Sequence, residues 1–560
     1  MNRKHWKWKK TNIQLLSSKS KIMKNTKYIL SIAVLGFSLN LFGQKELPSG
    51  KIEVIKNFDA RLAESEKLEL TAPYSTAPSK DVEYDYQVIA KDKITVDVQP
   101  PTIKPVAVSP EKSNDKSYKH YVKAGYGFPA SPLVEANFAL VQKPGFSLDL
   151  LGRHYSANDK KIEWQRFSDT DLGLNLGYDH KKGIGIKGDI GYTINSAYLY
   201  GYNHDSLQFS KENAQKKYTN TGLGLKFYNT IKNKIDVDYW AHLKYDNYRD
   251  NLATRENDIV LDFGVKKYLN QKHPIKLAIL SDVTNVKDTL NQDLNNFIIN
   301  PSFTYQGDGF SAKLGMRIAL LNDHFYFLPD VELNAKIVQN KWIIFAGWEG
   351  NYLKNTYKTL SRFNPYIHSR QIYKNTKLND IYAGFRGNVW DLQYEAKAGY
   401  RQVDDLAYFV QHKEDSRFFK VGYDTATVIF IHGQVGTQVL ENLSATATVI
   451  VNSIDPKNEA KPWMLPTLQF NLSAKYKALA DKLTVKADLF FGNGMSFKLA
   501  DGTADKGNPL FDVSIGGDYM FSENFGAFIM LNNLAFNKYK VYQDYPTFGL
   551  NAVGGIIARF

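Results

Sequence analysis

From Tyr121 to Phe560, apolar residues keep returning at every second position, and this repetition limits the fold more than any other feature of the chain. Ile184, Ile186, Gly188, Ile190, Tyr192 and Ile194 alternate with Lys187, Asp189 and Thr193. Ile235, Val237, Tyr239, Ala241, Leu243 and Tyr245 alternate with Asp236, Asp238, His242, Lys244 and Asp246. The last run does the same, with Phe548, Leu550, Ala552, Gly554, Ile556, Ala558 and Phe560 on one side. A period of two places the two sets on opposite faces of a β-strand. A sandwich and a membrane barrel both alternate in this way, and other features separate them. No helical pattern interrupts the series. The polar sides carry full charges in strand after strand, as a wet lumen does.

The connections point the same way. Tight turns such as Lys143-Pro-Gly, His180-Lys-Lys-Gly, Gly307-Asp-Gly, Trp390-Asp and Ser522-Glu-Asn alternate with mostly longer polar loops at 157–170, 201–216, 249–257, 287–294, 355–377, 403–416, 454–462 and 499–508. Short turns at one end and long loops at the other are the asymmetry of outer-membrane barrels. The expected fold is therefore all-β, a transmembrane antiparallel β-barrel of about 22 strands (range 20–24), with the uncertainty lying in strand boundaries. Charges expected on the lumen side include Lys187, Asp189, Asp236, Asp238, Lys313, Arg317, Arg401 and Lys486. Both signs are present, which suits cross-strand pairs better than an ion-selective ladder.

The beginning of the chain is different. Lys24 and Lys27 precede the apolar run Ile29–Leu41, and Gly43-Gln44 follows, the layout of a secretory signal peptide. Residues 1–43 are read as that signal, with Met23 an alternative start. They hold nine Lys/Arg and no Asp/Glu, so their removal leaves 62 basic against 57 acidic residues, a net +5 in place of +14. The high formal charge therefore does not argue for nucleic-acid binding. There is no cysteine, which excludes disulfides, thiolate metal sites and a lipid anchor on Cys. Residues 44–119 hold seven of the 19 prolines and form a short Pro-rich periplasmic segment before the barrel at 120–560. Two readings stand for it: a disordered tether, or a partial plug that threads into the lumen.

Near the end, Asn532-Asn533-Leu534-Ala535-Phe536-Asn537-Lys538-Tyr539 and Tyr545-Pro546-Thr547-Phe548-Gly549 precede the final strand. This resembles the C-terminal signature of TonB-dependent receptors. Ala535-Phe536 carries one residue more than that signature, and Leu550 stands where the family usually has Arg. The resemblance implies a 22-stranded outer-membrane barrel for solute uptake, though residues 44–119 are too short for a full plug. It also implies a TonB-type or other periplasmic partner, for which Glu53, Val54 and Ile55 form a weak TonB-box-like stretch. The terminal Phe560, with Ala558 and Ile556, looks like the signal read by the outer-membrane assembly machinery. The alternative to uptake is a non-transporting structural or assembly subunit of an outer-membrane complex.

One loop draws attention on chemistry alone. Residues 355–377 carry Lys358, Arg362, Arg370, Lys374 and Lys377 without an acid, interleaved with Tyr357, Phe363, Tyr366 and Tyr373. Cations among aromatics suit an anionic partner such as lipopolysaccharide, an acidic glycan or a protein; alternatively the loop snorkels its cations to lipid headgroups. His242 and His432 are expected to face inward, but no nucleophile, base and acid can be assembled around them, so no enzyme is expected. No metal-ligand spacing and no cofactor motif occurs.

Overall fold

Twenty-two strands close into a single antiparallel ring in the computed structural model, which describes residues 118–560 apart from 290, 339, 340 and 441. The first strand, His120–Phe128, pairs with Leu133–Lys143 on one side and with Asn551–Arg559 on the other. The strand number expected from the alternation is the one found. The expected signal peptide, the Pro-rich segment up to 117 and the stretch Glu53, Val54 and Ile55 lie outside the described residues.

The alternation sorts side chains as a membrane wall requires. Leu172, Ile190, Leu223, Leu243, Ile259, Leu314 and Ile381 stand exposed on the outward face. Aromatic residues gather at both rims, with Trp390, Phe521, Phe525 and Phe560 at the short-turn end and Phe325 and Phe327 at the long-loop end. Inward charges pair with neighbouring strands or across one intervening strand. Lys313 Nζ lies 2.8 Å from Asp330, Arg317 3.1 Å from Glu349, and Lys486 3.5 Å from Asp518. Arg401 grips both oxygens of Asp380 at 2.7 Å. Asp236 is a correction: the strand begins at Val237, and Asp236 sits in the preceding turn with positive φ, 3.6 Å from Lys232.

Several loops are shorter than their polarity suggested. Strands run on through Asp250, from Arg255, through Lys287 and through Gln411, so the expected loops at 249–257, 287–294 and 403–416 shrink to 251–254, 288–290 and 412–418. Above the hydrocarbon layer the outward face no longer has to be apolar, so a strand there has no hydrophobic alternation to reveal it. Two short helices also occur, Lys211–Ala214 and Tyr357–Phe363, where none was expected. The second starts because Thr356 and Thr359 cap each other, each hydroxyl taking the other's backbone N–H.

The seam is tight. A Cβ on Gly127 would lie 1.8 Å from the Ala552 carbonyl oxygen, and one on Gly555 2.0 Å from that of Ala124. Ile556, Ala558 and Phe560 share the outward face of the last strand; the Phe560 carbonyl accepts the N–H of Lys119 at 2.7 Å and of His120 at 3.0 Å. Gly555→Val is expected to destabilise closure by roughly 1–3 kcal/mol or more, because backbone rather than a flexible side chain blocks the methyls. Mobility of unboiled protein on an SDS gel reads this directly, and a folded band of wild-type intensity would sink it.

Candidate functional site

At the long-loop end, the connection between Trp342–Leu353 and Thr376–Val389 turns inward and spans the mouth. It meets the sixth to ninth strands on one side, and Tyr542 and Tyr545, between the last two strands, on the other. These elements lie far apart around the ring, so one loop touching all of them crosses the opening.

Charge seats the loop. Lys354 Nζ lies 2.8 Å from Asp258 and 2.6 Å from Asp282, on adjacent strands. Lys358 Nζ lies 2.8 Å from Asp246, and its backbone N–H donates to Glu256 at 2.8 Å. Lys374 pairs with Asp405 at 3.1 Å and Lys377 with Asp404 at 2.7 Å. At the centre Tyr357 donates to Asp250 at 2.5 Å, while the fully buried Lys216 donates to the same carboxylate at 3.1 Å and to the Tyr357 oxygen at 3.0 Å. The anionic partners of these lysines are carboxylates of the protein itself. Arg362 and Arg370 remain exposed.

Aromatic packing completes the cap. Tyr366 stacks on Tyr545 with ring centroids 3.7 Å apart, and Tyr200 meets Tyr545 edge-on at 4.9 Å. Phe363 stacks on Phe409 at 5.3 Å. Tyr218 donates to the Pro365 carbonyl at 2.7 Å, Tyr545 to that of Arg417 at 2.6 Å, and Tyr542 to that of Phe363. Tyr373 is buried and bonds the Ser369 carbonyl at 3.2 Å. One short backbone bridge, Ile367 to Phe419, ties the loop to the strand Phe419–Leu440.

These surroundings move several titrations. Burial draws the Lys358 ammonium below its ordinary value, with Asp246 pulling the other way. Burial would lower Lys354 too, but Asp282 and Asp258 hold it above the usual lysine value. Burial pushes the Tyr357 and Tyr366 hydroxyls well above theirs. Asp250, Glu256, Asp258, Asp282, Lys216 and Tyr200 were not singled out by sequence. They lie at or near strand ends above the apolar band, where the alternation fades, and nothing in the sequence says which strand lies opposite which loop.

Beside the cap a cavity of about 250 Å³ is lined in part by Phe209, Lys216, Leu252, Arg417 and Phe418. Its cations are engaged: Lys216 with Asp250, and Arg417 with Asp415 at 2.6 Å. His242 and His432 lie on the seventh and sixteenth strands, both buried. Among the described residues no three His, Cys, Asp or Glu side chains are grouped to hold a metal ion.

The barrel is similar to solved outer-membrane receptors. The iron transporter FrpB of Neisseria meningitidis superimposes with a TM-score of 0.63 at 11% identity, over 80% of this chain and 82% of that one. The ferric-catecholate import receptor Fiu of E. coli K12 gives 0.61 at 11%, over 80% and 82%. The copper transporter OprC gives 0.57 at 12%, over 79% and 83%. At such identities the likeness is one of fold: the chain forms a barrel like those of TonB-dependent receptors. No protein-family model and no curated protein sequence matches the chain.

The rings of His368 and His412 stack at 5.0 Å between the loop and the 412–418 connection. Each Nδ1 accepts a backbone N–H, from Arg370 at 3.2 Å and Glu414 at 3.3 Å. Burial, then His412, Lys216 and Arg370, hold His368 below the ordinary histidine value, with Asp415 opposing. A released loop therefore binds more protons than a seated one, and seating is fully stable only above the released histidine's pKa of about 6.5, weakening as pH falls below it. A spin label on Ile372→Cys, the sole thiol in the chain, is expected to gain mobility as pH falls below about 6.5. His368→Gln should flatten that response; an unchanged profile in the variant would refute the assignment.

Proposed function

We propose that the chain takes up a solute across the bacterial outer membrane through its lumen, with residues 354–375 acting as a lid. The observation that carries this is the contrast between wall and lid. The wall is a continuous backbone ladder around the ring, whereas the lid is held mostly by ion pairs, tyrosine hydroxyls and ring stacking. Water or a solute can exchange such contacts while the ladder stays intact. A lid that spans the mouth also suits a lumen too wide to be left open. The solved barrels it is similar to include proteins described as iron and copper transporters, which supports uptake as the class of function. The Pro-rich segment 44–119 serves in this reading as a partial plug, and Glu53, Val54 and Ile55 as the contact for a TonB-type protein. Assembly is taken to start from Phe560, Ala558 and Ile556, read by the outer-membrane machinery. Catalysis forms no part of the reading.

Planar-bilayer conductance tests it. The full chain is expected to be silent. Replacing 355–375 by a short Gly-Ser link and removing 44–118 together should open a wide pore, with each single change showing which part blocks it. If the doubly altered chain folds and stays silent, the lumen is closed by its wall and transport is excluded.

A second reading, a non-transporting structural or assembly subunit, is favoured by one observation: the Lys216–Asp250 pair is fully buried, an expensive arrangement for a lid that moves. A photo-cross-linker at Glu53 or Val54 separates the two. Uptake predicts capture of a TonB-type protein. The structural role predicts a stable stoichiometric partner instead, and no effect of losing the TonB-type protein.

A further inference from the structure

Four consecutive strands, Gln215–Asn229, Val237–Asp250, Arg255–Leu269 and His273–Lys287, carry an ordered change of chemistry up their outward face. Register defines the rows. Tyr245, Ile259 and Val283 stand side by side at the top of the apolar band. The next outward row is amide: Asn247, Asn257 and Asn285. The row above is cationic: Arg249 faces Arg255, and Arg255 faces Lys287. Lys217 lies diagonally beside Arg249, whose direct partner is Thr219.

That these residues face outward follows from parity. Exposed Leu223, Leu243, Ile259, Leu261 and Val283 lie an even number of positions from the cations on their own strands. Lys217, Arg249, Arg255 and Lys287 are themselves exposed. None of the four makes an ion pair with a described residue. The contrast with the inner face of the same wall is sharp, since Lys216, Lys354 and Lys358 each bond a carboxylate there. Like charges placed directly opposite on neighbouring strands repel, so three in one row disfavour the fold unless an anion sits between them. The acid in these rows is Asp293, at the edge of the amide row and held by Asn285 at 2.5 Å.

We propose that this collar binds the phosphorylated headgroup of an anionic glycolipid in the outer leaflet. Placement argues for a lipid: the collar stands two outward steps above Ile259 on the face that meets the bilayer, at the rim bearing the long loops, which in such barrels is the external one. Two guanidiniums side by side suit phosphate oxygens, which each can grip with paired N–H groups. The amide row beneath suits sugar hydroxyls and ring-linked amides. Asn247 already donates to Asn257 at 2.7 Å, and the Tyr245 hydroxyl donates to the same oxygen at 3.1 Å. The row is therefore pre-ordered before a headgroup arrives.

The full chain is reconstituted in phosphatidylcholine nanodiscs containing diphosphorylated lipid A, or the same lipid after enzymatic dephosphorylation, and retained lipid is counted by native mass spectrometry. The wild type is expected to keep the phosphorylated lipid and to lose the dephosphorylated one. The triple variant Arg249→Gln, Arg255→Gln, Lys287→Gln should retain it roughly a hundredfold more weakly, a factor of about five for each cation removed. A control triple at the short-turn end, Lys143→Gln, Lys182→Gln, Lys232→Gln, should retain it like the wild type. Unboiled gel mobility establishes that each variant is folded; if the first triple fails to fold, Arg255→Gln alone should still weaken retention about fivefold. Equal retention of the dephosphorylated lipid, or undiminished retention by the folded triple variant, overturns the proposal. So does displacement of the lipid by millimolar inorganic phosphate, which would make the collar a general anion site.

Discussion

Closure of the ring between His120–Phe128 and Asn551–Arg559 is the contact on which the rest of the structure depends. Inside a bilayer no water satisfies a free N–H or C=O, so a sheet there can have no edge. With the ladder complete, backbone hydrogen bonding is settled without help from side chains. The outward faces are then free to be apolar, the inward faces free to be charged, and the ends of the strands free to carry chemistry. Gly127 and Gly555 matter for the same reason, because a side chain at either would push the two closing strands apart.

The mouth obeys a different logic. A buried ammonium such as that of Lys216 is costly unless paired, and here one carboxylate and one phenol hydroxyl share it. Such pairs add little net stability compared with apolar packing, but they are selective about position. Lys354 between Asp258 and Asp282, and Lys358 on Asp246, fix where a loop of 22 residues lands across an opening that hydrophobic contact alone would fill less specifically. The tyrosine stack around Tyr366 and Tyr545 then supplies the apolar area.

Much of the barrel was legible in the sequence. Alternation such as that of Ile184–Ile194 survives any change of neighbour, because it depends only on one face meeting lipid and the other a polar interior. Turn residues such as Gly145 and Gly183, both with positive φ, marked one end of the ring. Legibility stopped where lipid stopped. Strands through Arg249, Arg255 and Lys287 read as loop because their outward face is no longer apolar there, and the collar they form went unseen. The inward seating of Lys358, Tyr366 and Tyr373 was likewise invisible: a basic aromatic loop looks the same in sequence whether its acids belong to a partner or to its own wall.

The sequence by itself therefore determined the all-β class, the number of strands and the two-faced wall, since each follows from local periodicity and from counting turns. Only the tertiary structure decided which residues meet. That Asp250 on the seventh strand takes Tyr357 from beyond the thirteenth, and that Arg249, Arg255 and Lys287 fall in one row, are consequences of register and ring closure. Shifting one strand by one residue would turn every one of its side chains to the opposite face. No local pattern in the chain encodes those relations; the hydrogen-bonded ladder does.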